Sequence, residues 1–139
     1  MIVPFEAGHL QQLELQSAQA YLSDWVTVEQ GEALEDEPSF TAMKDGEPIA
    51  SAGIVPMWRG RALAWAYISD TGPKNFVTVH RAVADFLEVC YLARIEMTVD
   101  CDFPQGHRWA KMLGFDMECE RMRSYSPDGR DCALYARIR

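Results

Sequence analysis

The sequence predicts an α/β domain of the α+β kind: a mixed, mostly antiparallel sheet of about six or seven strands flanked by helices. Three observations predict it. Two tight-turn signals, Asp45-Gly46 and Ser126-Pro127-Asp128-Gly129-Arg130, each lie between runs of strand character. One long run, Phe76, Val79, Val83, Phe86, Leu87 and Cys90, repeats at helical spacing. A length of 139 residues suits one domain that buries about two-thirds of its unfolded surface without staples.

Ile2–Phe5 is a short candidate strand, with Pro4 tolerable at an edge or strand end. Leu10, Leu13, Leu15, Tyr21, Leu22 and Trp25 suggest one or two short helices to about residue 25, and Glu29–Glu37 reads as polar helix or loop before Pro38. The period then changes. Phe40–Lys44, the Asp45-Gly46 turn and Ile49–Val55 form a hairpin, and Met57-Trp58-Arg59-Gly60 turns the chain into Ala62–Ser69, completing a three-stranded antiparallel meander. In its last strand Leu63, Trp65 and Tyr67 share one face while Ala64, Ala66 and Ile68 share the other.

Ser69-Asp70-Thr71-Gly72-Pro73 stops the sheet and starts the long helix. Thr71 or Gly72 serves as cap, and Pro73 falls in the first turn, where a missing N–H costs nothing. His80, at the edge of the apolar stripe, reads as a packed histidine. Arg94–Val99 is a strand, with Ile95, Met97 and Val99 alternating against Arg94, Glu96 and Thr98. Pro104 and Gly106 open a short helix carrying Trp109, Met112 and Leu113, and Gly114 is its left-handed stop. Phe115–Tyr125 and Asp131–Ile138 make the closing hairpin. The order is β, α, α, β, β, β, α, β, α, β, β, with no repeat or linker to divide residues 1–139.

Hydrophobic residues at 48% and aromatic residues at 11% exclude a disordered or collagen-like chain. No apolar run approaches the roughly 18–20 residues of a membrane span, and the N-terminus lacks the basic start and apolar block of a signal peptide. The expectation is a soluble intracellular protein of the cytoplasm. Net charge is −8, which argues against nucleic acid as partner. From His107 onward there are seven Lys/Arg and five acids, so the first 106 residues hold the other six against sixteen. Glu29, Glu32, Glu35, Asp36, Glu37, Asp45 and Glu47 carry much of that excess. They read as a solvated segment or as a surface that attracts a cationic ligand. Cys90, Cys101, Cys119 and Cys132 form no C-x-x-C pair and read as buried thiols in a reducing compartment, with no metal site.

This order of elements resembles the GNAT superfamily of N-acetyltransferases over essentially the whole chain. Arg94-Ile95-Glu96-Met97-Thr98-Val99-Asp100, followed by Gly106-His107-Arg108-Trp109-Ala110-Lys111-Met112-Leu113-Gly114-Phe115, looks like the family's fifth strand and fourth helix with its Leu-Gly-Phe ending. More narrowly, Trp58-Arg59-Gly60-Arg61-Ala62, Ala64-Trp65-Ala66, Gly106-His107-Arg108-Trp109 and Pro127-Asp128-Gly129 look like the small GNAT-like proteins of phages and prophages. Some of these are treated as acetyltransferases and others as internal virion proteins.

The resemblance implies acetyl-CoA as co-substrate, with no metal. The family's pyrophosphate lies where the third helix begins, after a Gln/Arg-x-x-Gly-x-Gly/Ala stretch, because unpaired N–H groups and the helix dipole suit anions there. The matching stretch is Ser69-Asp70-Thr71-Gly72-Pro73-Lys74-Asn75. It has one glycine and no leading Gln or Arg, Pro73 removes a donor, Asp70 repels phosphate, and Lys74 offsets this as a point charge. The alternative is an ordinary capped helix start. The pantetheine arm would run beside Ala66-Tyr67-Ile68 on main-chain bonds, and Trp109 is a further cofactor contact that the resemblance implies.

The family's general acid, a Tyr four residues before the Gly-Phe, falls on Ala110, which cannot donate a proton. CoA thiolate is a competent leaving group, so this slows the chemistry without forbidding it. Tyr67 and His107 are the candidate replacements, though a core tyrosine and a helix-start polar residue are the plainer readings. Glu32 or Glu35 would serve as general base and favour a cationic amine. A Cys101/His107/Asp thiol triad, a magnesium pair of Asp100 and Asp102, and a contact strand of Arg121, Arg123 and Tyr125 are poorer constellations. Two functions follow as expectations. One is an acetyl-CoA-dependent N-acetyltransferase acting on a small-molecule or peptide amine. The other is a catalytically inactive GNAT-like phage or prophage protein, found in host cytoplasm or virion, whose partner is a virion protein or a second copy of the chain.

Overall fold

The computed structural model describes residues 1–16, 19, 27–70 and 72–139. Its elements are β1 (Ile2–Pro4), α1 (Ala7–Gln12), α2 (Val28–Glu35), β2 (Ser39–Lys44), β3 (Glu47–Trp58), β4 (Arg61–Ile68), α3 (Gly72–Glu88), β5 (Arg94–Asp100), α4 (Pro104–Met112), β6 (Asp116–Met122) and β7 (Cys132–Ile138). The predicted order holds among the described residues. The seven strands make one mixed sheet in the order β1-β2-β3-β4-β5-β7-β6. β4 and β5 pair in parallel, while β1–β2, β2–β3, β5–β7 and β6–β7 are antiparallel. No helix among the described residues is long and apolar enough to cross a membrane.

The chain divides into two compact units, and β3 and β4 run through both. The first unit comprises Met1–Val55 and Trp65–Cys90. Its β2–β3 hairpin turns on Asp45 and Gly46, both left-handed at φ 51° and 80°, the type I′ geometry that matches the twist of flanking strands. Alternation along β2 sends Phe40 and Thr41 to opposite faces. Phe40 packs against Phe86 of α3 at 5.4 Å between ring centroids. Thr41 is buried with its hydroxyl 2.9 Å from Ser51 Oγ and 2.7 Å from His9 Nδ1 of α1. α3 buries Val79, Val83 and Leu87, one residue per turn. Gly31 lets α2 approach the backbone of Ala7, where a Cβ would lie 3.1 Å from the Ala7 carbonyl oxygen.

α1 is shorter than the leucine spacing predicts. It ends at Gln12, Leu13 is extended, and Leu15 makes an isolated antiparallel bridge to Ser69. Backbone bonding to the sheet there outweighs helical spacing. Tyr21, Leu22 and Trp25 lie outside the described residues.

The second unit comprises Pro56–Ala64 and Tyr91–Arg139. β3 continues through Trp58, so the turn that follows it is only Arg59-Gly60, with Gly60 at φ 87°. The guanidinium of Arg61 stacks on the Trp58 ring at 4.4 Å. Glu96 departs from the simple alternation of β5. It is only 4% exposed, held by the guanidinium groups of Arg61 and Arg94, while Arg94 also reaches Glu118 on β6. The expected strand 115–125 stops at Met122, because Ser124 is left-handed and its N–H donates to Asp131 Oδ1. The four cysteines are free thiols, but only Cys132 is fully buried, and burial pushes its thiol up to about 11.

Candidate functional site

The described part of β4 separates into two stretches by its partners. Its parallel ladder with β5 pairs Arg61, Ala62 and Leu63 and no later residue among those described. Further along, Ser69 turns its N–H toward β3, donating to Ile49 O at 3.0 Å, and its hydroxyl donates to the same oxygen at 2.9 Å. Alternate residues of a strand bond to opposite edges, so Ala66 and Ile68 direct their polar groups away from β3. Those groups meet the chain at residues 16 and 19. Ile68 O accepts from Gln16 N–H at 2.8 Å, Ile68 N–H donates to Gln19 Oε1 at 2.9 Å, and Ala66 O accepts from Gln19 Nε2 at 2.8 Å.

Tyr67 projects toward α2, where its hydroxyl accepts from Gln30 Nε2 at 3.2 Å. Burial raises the phenol above its ordinary pKa, with the Gln30 hydrogen bond opposing, so the group is a neutral acid at physiological pH. Its ring lies 5.7 Å from that of Trp65, which packs edge-on to Phe5 at 5.2 Å. Gln30 Oε1 and Trp65 Nε1 are buried with no hydrogen-bond partner among the described residues. One acceptor and one donor are thus unspent beside Tyr67, and each costs free energy in that state. Glu32 lies on α2, exposed, and Glu35 Oε2 accepts from Ala7 N–H at 2.8 Å.

α3 begins at Gly72, left-handed at φ 78°, with nothing within 4 Å of the space a Cβ would fill. Pro73 follows, and Lys74 is exposed. Lys44 Nζ donates to Asn75 Oδ1 at 2.8 Å, bringing a second cation to this first turn. Asp70 is also exposed, its N–H donating to Glu14 O at 3.2 Å. Thr71 lies outside the described residues.

His107 and Trp109 belong to the second unit, on α4. The His107 ring lies 3.2 Å from Cys101 O through Nε2 and 2.7 Å from the buried Tyr135 hydroxyl through Nδ1. A carbonyl only accepts, so Nε2 carries the proton and Nδ1 accepts from Tyr135. Both ring nitrogens are engaged in holding α4 to its strands. His107 meets Cys101 at the carbonyl and not at the thiol, whose Sγ lies 3.5 Å from Glu120 O and whose pKa burial raises. No thiol triad is assembled. Trp109 is half-buried and Ala110 is wholly buried. Asp100 and Asp102 are tied into the loop, Asp100 Oδ1 accepting from Asp102 N–H and Oδ2 from Arg130. Among the described residues no three His, Cys, Asp or Glu side chains are placed to hold a metal ion.

The structure therefore brings Ala66, Tyr67, Ile68 and Ser69 together with Gln19 and Gln30, two residues that carry no signal in the sequence. Their partners lie tens of residues away, so no local period marks them.

Neither a protein-family model nor a curated protein matches the sequence. Solved structures do. Ard1 from Thermoplasma volcanium is 17% identical with a TM-score of 0.82, over 99% of this chain and 96% of that chain. A ribosomal-protein-alanine N-acetyltransferase from Brucella melitensis is 14% identical with a TM-score of 0.73, over 100% and 99%. yncA from Salmonella typhimurium, solved with its cofactor acetyl-CoA, is 12% identical with a TM-score of 0.63, over 80% and 70%. The strand order, the described helices and this end-to-end likeness give the chain the GNAT fold.

Proposed function

We propose that this chain is an acetyl-CoA-dependent N-acetyltransferase of the GNAT type acting on an amine. The observation that carries the reading is the edge of β4. There Ala66 O and Ile68 N–H already bind an amide, the Gln19 carboxamide, in a fold shared with N-acetyltransferases. The residues present fit a co-substrate with amide groups and a pyrophosphate. Ala66 and Ile68 would hold its amide arm, and Gly72 with Lys74, Asn75 and Lys44 would face its phosphates at the start of α3. Ser69 completes the proposed contacts. Acetyl-CoA, when bound, supplies an activated acetyl thioester.

The remaining work falls to the chain's own groups. The Tyr67 phenol, neutral and already accepting from Gln30, keeps its own hydrogen to donate, which makes it the proposed general acid. Gln30 Oε1 would accept an N–H from the incoming amine and lose its unpartnered state. Glu32, exposed on α2, would attract a cationic amine and act as base.

The second reading, a catalytically inactive GNAT-like phage or prophage protein, draws on the first turn of α3. Pro73 withholds one N–H from any anion there, and the exposed Asp70 adds a negative charge. Calorimetric titration with acetyl-CoA, and with CoA alongside, separates the two. Micromolar binding is expected, weakened about tenfold in Lys74→Glu by the loss and reversal of one phosphate-facing charge. No heat and no thermal shift at millimolar ligand would remove the enzyme reading and leave the non-catalytic one.

A further inference from the structure

The polar groups of Ala66 and Ile68 form a strand edge that pairs with no strand among the described residues. Gln19 fills it with a side chain. Its Nε2 donates to Ala66 O at 2.8 Å and its Oε1 accepts from Ile68 N–H at 2.9 Å, the donor-and-acceptor pairing that a neighbouring strand would make. The carboxamide is itself positioned. Gln19 N–H donates to Gln16 O at 2.8 Å, and Gln16 N–H donates to Ile68 O at 2.8 Å. One step further along, Leu15 bridges Ser69 and Asp70 N–H reaches Glu14 O at 3.2 Å. Residues 14–16 and Gln19 thus close the edge from Ala66 to Asp70.

We propose that Gln19 is a built-in competitor for the amide arm of acetyl-CoA, occupying the two backbone atoms that arm must use. The proposal rests on the acetyltransferase reading and adds a regulatory contact to it. An amide of the ligand can bond to Ala66 O and Ile68 N–H only after the Gln19 carboxamide has left them. Binding then exchanges two hydrogen bonds for two, and the apparent affinity falls by the fraction of molecules in which the edge is covered.

Two variants and two readouts test this. Gln19→Ala removes the carboxamide. Gln19→Glu keeps its size but places an oxygen against Ala66 O, which repels it. Both should bind acetyl-CoA about tenfold more tightly than the unaltered chain in calorimetry. In ligand-free Gln19→Ala protein the Ile68 amide hydrogen should exchange faster, because its acceptor is gone. Equal affinity in all three proteins would overturn the competitor role while leaving the acetyltransferase reading in place. Weaker binding by the variants would also overturn it, making Gln19 part of the binding surface. Ile68 exchange unchanged by Gln19→Ala would overturn the contact itself. Absence of binding in all three at millimolar acetyl-CoA would remove the acetyltransferase reading and this proposal with it.

Discussion

At Gly53 the backbone of β3 passes so close to its neighbour that a side chain does not fit. A Cβ there would lie 2.5 Å from Pro38 O and 2.7 Å from Ser39 Cβ, and Ile54 N–H donates to that same Pro38 oxygen at 2.9 Å. Gly106 is crowded differently. Its Cβ would meet side-chain atoms, Phe103 Cδ2 and Val99 Cγ1, both at 2.7 Å, and α4 would gain roughly 1 kcal/mol of helix propensity from alanine. Side chains shift more cheaply than a paired backbone. Gly53→Ala should therefore cost about 3 kcal/mol and Gly106→Ala about 1 kcal/mol in urea unfolding. A larger cost at Gly106 would show that backbone proximity is not what decides. Neither tight fit is visible in the sequence, where Gly53 is one small residue in an apolar strand. The same holds for the candidate site. Tyr67 is legible from the alternation of Leu63, Trp65 and Tyr67, but Gln30 and Gln19 are not. They lie 37 and 49 residues from the atoms they bind on Tyr67 and Ile68, and long-range pairing of that kind leaves no local pattern.

Elements were more legible than contacts because their stops are local chemistry. α4 shows why. Leu113 caps it, Gly114 is left-handed at φ 87°, Phe115 N–H bonds Ala110 O and Gly114 N–H bonds Lys111 O, both at 3.0 Å. That is the paired closure of a Schellman motif, and it needs a residue that adopts positive φ without strain. Gly114→Ala should lower stability by about 1 kcal/mol, since its Cβ would sit at an ordinary 3.7 Å from Arg137 Nε and only the backbone would be strained. Thermal melts of Gly114→Ala and Gly114→Asn check this, the asparagine recovering part of the loss. An alanine variant as stable as the parent would mean that the left-handed turn is not needed. Where a stop depends on tertiary bonding, the sequence misleads. α1 ends at Gln12 although leucines continue, because Leu15 and Gln16 bond to the end of β4. β6 ends at Met122 because Asp131 draws Ser124 N–H and Arg121 into a loop contact.

For the molecule as a whole, the order of the described strands and helices is readable from the sequence, while the electrostatics of the sheet are not. A carboxylate at Glu96 reads as the polar half of an alternating strand, yet it is buried. It is held because Arg61 on β4 and Arg94 on β5 surround it, spending guanidinium hydrogen bonds in place of water. The hydrogen bond from Arg61, reinforced by Arg94, holds the Glu96 carboxyl below the usual glutamate value against the opposing effect of burial. A depressed folded pKa fixes the sign: the stabilisation is complete above the unfolded pKa near 4.3 and is lost as pH falls through the folded value. Glu96→Gln should be less stable than the parent by about 2 kcal/mol at pH 7, the scale of hydrogen bonds to a charged group. The gap should close progressively below about pH 4, when the parent's own carboxylate takes up its proton. Guanidinium unfolding of both proteins at intervals from pH 7 to pH 2.5 measures it. A gap that stays constant across that range would mean that Glu96 acts through shape and not charge, and the paired guanidinium groups would then have to be explained some other way.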